Sequence, residues 1–197
     1  MSSETHAPYG PLPAAGEVRP ITRWGTDVMH RPQALVTSFD ATLAELAADM
    51  VATMYAANGV GLAACQIGED VAMFVFDCPD ETGRHTVGVV CNPVLTLPEG
   101  DARRLDVDDE GCLSFPGAFV DCGRPDYAEV NGFGLDGQPV HFAGTGLLAR
   151  CLQHETDHTV GIVFGDRISD RARKKLRKAH DSAADDYPAG WPALDTA

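Results

Sequence analysis

The sequence predicts an α+β domain in which mostly antiparallel β-sheets surround one central helix, with a long helix before them and a C-terminal helix after. Three observations carry this expectation. Apolar residues recur at helical spacing across residues 40–58, where Leu43, Leu46, Ala47, Met50, Val51 and Met54 stand at i, i+3, i+4, i+7, i+8 and i+11. Two short runs, VAMFVF (71–76) and VGVVCNP (87–93), are apolar without interruption and rich in β-branched residues, as buried strands are. Helical and strand patterns do not alternate along the chain, which disfavours a doubly wound parallel sheet.

In chain order, residues 1–18 are rich in Pro, Gly, Ala and Ser and are expected to form a mobile leader. The helix of residues 40–58 is capped by Asp40, or by Thr42 with Glu45, and stopped by Gly59. Next comes GVGLAACQIG (59–68), whose three glycines and two alanines imply close approach of either a neighbouring strand or a ligand. No GK[ST] ending or GxGxxG spacing accompanies them, so a phosphate-binding loop is not indicated. Gln66, the one amide in this apolar stretch, needs a partner, and its NH2 could donate to a substrate carbonyl. The two strands after it join through a turn at 81–83, and residues 127–142 read as a hairpin turning at Asp136 and Gly137. A helix starting near Thr145 follows, then a basic helix over 170–180. Residues 181–197, acidic and Pro-containing, are expected to be a flexible tail, leaving 19–180 as a single domain.

Composition bounds the function. A chain of 197 residues with 44% hydrophobic content can bury one core. It has no apolar run of membrane-spanning length, and its N-terminus has no signal-peptide pattern, so a cytoplasmic protein without a membrane partner is expected. Its six cysteines include no CxxC pair, and reduced thiols are expected. A net charge of −14 argues against DNA binding. The exception is RARKKLRK (171–178), either a solvated helix end or a contact to RNA.

The chemistry is concentrated in QHETDHTVG (153–161), which contains HExxH. Residues four apart share a helix face, so His154 and His158 point at one spot suited to a metal ion, with Glu155 placed to take a proton from water there. Leu147 and Cys151 continue that face toward the N-terminus, which implies a core-facing stripe. A catalytic metal takes a third protein ligand. None is supplied downstream: no Glu follows Glu155, and Phe164 fills the last place of HExxHxxGxxH, so both common protease patterns fail. Cys112 in EGCLSFPG (110–117) is the obvious upstream candidate, presented at an irregular strand end between Gly111 and a Pro-Gly pair. Two imidazoles and a thiolate suit zinc, iron(II), nickel or cobalt.

Taken in order, GVGLAACQ (59–66), EGCLSFPG and QHETDHTVG resemble the three signature motifs of the peptide deformylases, which remove the N-formyl group from newly made bacterial polypeptides. The likeness covers roughly residues 18–170. It implies that Cys112, His154 and His158 ligate Fe2+ (Zn2+, Ni2+ or Co2+ in purified protein), that Glu155 acts as general base and then acid, and that Gln66 with the Leu113 backbone N–H holds the formyl oxygen. It further implies that the backbone around Gly61 pairs with an extended N-formylmethionyl peptide. Val60, Leu113 and Leu147 are candidates for the methionine pocket. Arg150, four residues before His154 where an apolar residue is expected, is read as reaching the pocket rim. The resemblance also suggests ribosome docking through 171–178. Rival readings are a catalytically inactive metal-binding relative and an HExxH metalloprotease.

Overall fold

The structure is a computed structural model that describes residues 12–192; among these the chain forms three α-helices and seven strands. Helix α1, Ala41–Ala56, begins where the Asp40 carboxylate accepts the backbone N–H groups of Thr42 and Leu43. A cap of this kind contributes about 1 kcal/mol. The expected stop at Gly59 falls one residue earlier, because Asn58 takes the left-handed conformation (φ 55°). Gly59 serves a different need: a Cβ there would lie 2.6 Å from Leu113 Cδ1.

Five strands form one antiparallel sheet in the order β1 (Gly61–Ala63), β2 (Met73–Pro79), β3 (His85–Thr96), β6 (Tyr127–Phe133) and β7 (Pro139–Thr145). Strands β4 (Leu105–Gly111) and β5 (Phe119–Pro125) form a separate antiparallel pair. Helix α2, Gly146–Thr159, follows β7 directly, and α3, Asp170–Ser182, packs on β5.

Strand β2 shows why the central run is apolar without a break. Phe74, Phe76 and Cys78 enter a cluster with Ala149, Cys151 and Leu152 of α2. Met73 and Val75, pointing the other way, pack with Ala47, Met50, Val51 and Met54 of α1. The sheet lies between two helices, so neither face of β2 can be polar. The hairpin β6–β7 turns at Gly137 (φ 73°), as its Asp-Gly pair predicts.

Helix α2 contacts all five strands of the large sheet and β5 of the small one. Every residue from Ala149 to Thr159 is therefore buried, although eight of those eleven are polar or charged. The expected one-sided stripe is replaced by burial on all sides, and Leu147, assigned to that stripe, is 41% exposed in the first turn. Three further features differ from expectation. Strands β4 and β5 were not foreseen beyond an irregular strand end, because LDVDDEG carries acids at successive positions and buries only Glu110. In the expected leader, Glu17 N–H donates to Asp49 and a Cβ on Gly16 would strike the Ala48 backbone; residues 1–11 of that leader lie outside the described residues. In the expected tail, Ile21 N–H donates to the Trp191 carbonyl at 2.9 Å, with 193–197 outside the described residues.

Candidate metal centre

The helical spacing of HExxH does what geometry requires: His154 and His158, one turn apart in α2, bring their Nε2 atoms to 3.2 Å. Cys112, the residue after β4, reaches them from the opposite side, with Sγ 3.4 Å from His158 Nε2. Its turn is fixed by a Phe115 N–H bond to the Cys112 carbonyl and by Trp24 N–H on the Ser114 carbonyl. Gly111 is needed before it, because the ring of its cross-strand partner Phe119 would meet a Cβ at 2.4 Å.

These three atoms lie within 4.8 Å of one another. Tetrahedral coordination with metal–nitrogen bonds near 2.05 Å and a metal–sulfur bond near 2.3 Å requires edges of about 3.3 and about 3.6 Å. The observed spacings fit a divalent ion. Burial disfavours charge on both rings and holds His158 well below its ordinary pKa, as a neutral ligand must be. At His154 the Cys112 sulfur and Glu110 outweigh burial and raise it above the ordinary imidazole value.

The ring of His154 is aimed by a buried network. Glu110 Oε1 accepts from His154 Nδ1 at 2.7 Å, leaving Nε2 with its lone pair toward the centre. Glu110 also accepts Arg124 through Nε and Nη2 at 2.8 and 2.7 Å, and Arg150 Nη1 at 2.9 Å. Arg124 continues to Asp157, which Arg167 also contacts. Burial would raise the Glu110 carboxyl, but the bonds from Arg124 and His154 hold it well below the carboxylate range. Glu110, Arg124 and Asp157 had no assigned role from sequence. The available clue was Asp157, an acid in the last turn of a helix; buried there, it must find a cation.

Glu155 stands beside the centre, 4% exposed, and its Oε2 has no hydrogen-bond partner among the described residues. Burial lifts its pKa to about 7, with His154 opposing and Glu110 reinforcing the shift. Gln66 is buried, and its orientation is set by Ala63 N–H on Oε1 at 2.9 Å. Its NH2 therefore faces Cys112 Sγ (3.5 Å) and Ser114 Oγ (3.3 Å). Gly61 has no room for a side chain, since a Cβ would stand 2.5 Å from Glu155 Oε1 and 2.8 Å from Cys151 Sγ.

A cleft of about 530 Å3 opens over these groups, and Val60, Gly61, Gln66, Leu113, Leu147 and Arg150 line it. Arg150 is read from the sequence as reaching the rim. In the structure it is only 7% exposed, and its guanidinium is held by Glu110, the Cys122 carbonyl and Asp106. Wall residues that the sequence did not suggest include Tyr187 and Trp191.

Comparison with known proteins agrees with this geometry. The family model for polypeptide deformylase matches residues 18–174. Peptide deformylase 1 of Streptomyces avermitilis is 50% identical over 173 residues, covering 88% of this chain and 80% of that protein. Peptide deformylase 2 of Streptomyces coelicolor is 48% identical, covering 86% and 93%. Among solved structures, a peptide deformylase from Legionella pneumophila superimposes with a TM-score of 0.74 at 36% identity, covering 84% of this chain and 94% of that one. One from Ehrlichia chaffeensis gives 0.77 at 29% identity, covering 86% and 99%.

Proposed function

The chain belongs to the polypeptide deformylase family, metal-dependent hydrolases that remove the N-formyl group from newly made polypeptides and release formate, and we propose how its own residues divide that work. Cys112, His154 and His158 hold the metal, and Glu155 moves the protons. What carries this assignment is the meeting of one sulfur and two ring nitrogens beside a buried carboxylate whose Oε2 has no hydrogen-bond partner among the described residues.

A divalent ion held by these atoms supplies Lewis acidity, polarising a carbonyl and acidifying water. Glu155, poised near neutral pH by burial, accepts a proton on its carboxylate and later gives one to the departing amine. The Gln66 NH2 and the Leu113 N–H hold the formyl oxygen as charge develops on it, and donors of this kind each contribute ~10²–10³ in rate. Val60, Leu113, Leu147 and the stem of Arg150 receive the methionine side chain. Strand β1 stands at the edge of its sheet, so the backbone around Gly61 can accept an extended peptide as an added strand. Selectivity for formyl over acetyl comes from the small residues crowding the centre, foremost Gly61; equal turnover of formyl and acetyl peptides would refute this.

The resident metal is iron(II), which a thiolate ligand would leave oxygen-sensitive. Activity lost in air and restored by nickel supports this; full activity after aerobic handling contradicts it. The site of action is the cytoplasm, and the exposed cations of α3 offer the emerging chain's ribosome a contact, which unchanged ribosome binding after neutralising 171–178 would exclude.

The deciding experiment compares formyl-Met-Ala-Ser with an unformylated internal peptide, using protein purified anaerobically. Formate release from the first and no cleavage of the second is expected. Failure to release formate from metal-loaded protein would favour an inactive relative, and cleavage of the second a protease.

A further inference from the structure

Beyond residue 174, where the family match ends, the chain does not leave the domain. After α3 it crosses the turn that carries Cys112 and comes to lie along the substrate cleft. His180 begins the crossing, with Nδ1 2.8 Å from the Pro116 carbonyl and its ring 4.3 Å from that of Phe115. Gly117 adopts φ 74°, and a Cβ there would stand 2.6 Å from Ala183 Cβ and 2.8 Å from the Tyr187 ring, so the two segments touch at a position fitted to glycine. Arg23 then clamps the segment, donating to the carbonyls of Tyr187 (2.8 Å) and Pro188 (3.3 Å) and lying 5.8 Å from the Trp191 ring. Trp191 packs on the α1 cluster beside Leu113, and its ring meets Tyr187 edge-on at 5.0 Å. Both rings remain half-buried, and both line the cleft that contains Glu155 and Gln66.

We propose that this C-terminal strap is part of the substrate site: Tyr187 and Trp191 form a wall that binds apolar or aromatic side chains of the peptide downstream of its formylated methionine. The proposal rests on the deformylase reading. Two aromatic rings held edge to face beside a backbone clamp are a pre-ordered apolar surface, which loses little freedom when a peptide arrives. A cleft of about 530 Å3 has room for more than the first residue of a peptide. The strap lies where the later residues of an extended chain, entering along β1 and Gly61, can reach it.

The test compares formyl-Met with formyl-Met-Leu-Phe as substrates of the full-length metalloenzyme. In the double variant Tyr187→Ala, Trp191→Ala, the KM for formyl-Met-Leu-Phe should rise relative to that for formyl-Met by roughly tenfold. Arg23→Gln, which loosens the clamp and lies outside the cleft lining, should move the same ratio in the same direction by a smaller factor. A purely structural strap would lower Tm and change both substrates alike. A KM ratio within twofold of wild type in both variants overturns the proposal. Wild-type protein that releases formate from neither substrate would instead overturn the deformylase reading itself.

Discussion

Helices α2 and α3 are both rich in charge, and the fold treats them in opposite ways. In α2 the residues Arg150, His154, Glu155, Asp157 and His158 are buried, whereas in α3 only Leu176 is. The charges of α2 are tolerable because most have partners: Arg150 and His154 on Glu110, and Asp157 on Arg124 and Arg167. Glu155 Oε2 and His158 Nδ1 are the exceptions among the described residues. Buried charge with full pairing builds scaffold, and a buried carboxylate left incompletely paired is a reagent. The six cations of α3, facing mostly solvent, cost little and fix little.

The sharpest way to break this contrast is Glu155→Gln. The amide keeps the volume and removes the proton acceptor, so kcat for formyl-Met-Ala-Ser should fall on the order of 10²–10⁴. Bound metal, measured by elemental analysis, should remain at the wild-type level, because Glu155 is not among the three ligands. A variant retaining a tenth or more of wild-type kcat would remove Glu155 from its role.

Next in size is Arg124→Met, which keeps the stem and strands Glu110 and Asp157 together. Breaking a buried pair by removing one partner costs about 3–5 kcal/mol, read as a shift of the denaturant midpoint. Glu110 would lose two of its four bonds and hold the His154 ring less firmly. Metal affinity should therefore drop by roughly 10–100-fold. Stability and affinity close to wild type would show that the network is not what aims His154.

The same contrast explains what the sequence could convey. The α1 stripe, the apolar run of β2 and the β6–β7 turn were legible because each obeys a local period or a turn preference. HExxH was legible because the fourfold spacing on a helix is itself the metal-binding geometry, and Cys112 followed from the need for a third ligand. Burial of α2 on all sides was not legible, since it depends on β5 and the large sheet meeting around it. For the same reason Arg150 looked like a rim residue: without Glu110 in place, a lone arginine on a helix has no inward destination. Strand β4 was hidden by its acids, which give no apolar alternation, and β5 by Arg124, which takes the third inward place after Val120 and Cys122. Tyr187 and Trp191 were obscured by an acidic, Pro-containing context that favours disorder, and Arg23, more than 160 residues earlier in the chain, supplies the clamp.

The smallest expected effect completes the comparison from the side of α3. Lys174→Gln with Lys175→Gln removes two positive charges, twice the formal charge removed by Arg124→Met. Both lysines are exposed, and no ion pair involves either among the described residues. Solvent already screens them, so Tm should shift by less than about 2 °C, and kcat and KM for formyl-Met-Ala-Ser should stay within twofold of wild type. A loss of stability approaching that of Arg124→Met would mean that removal of charge from either helix is equally damaging, and that pairing inside α2 is not the source of the difference.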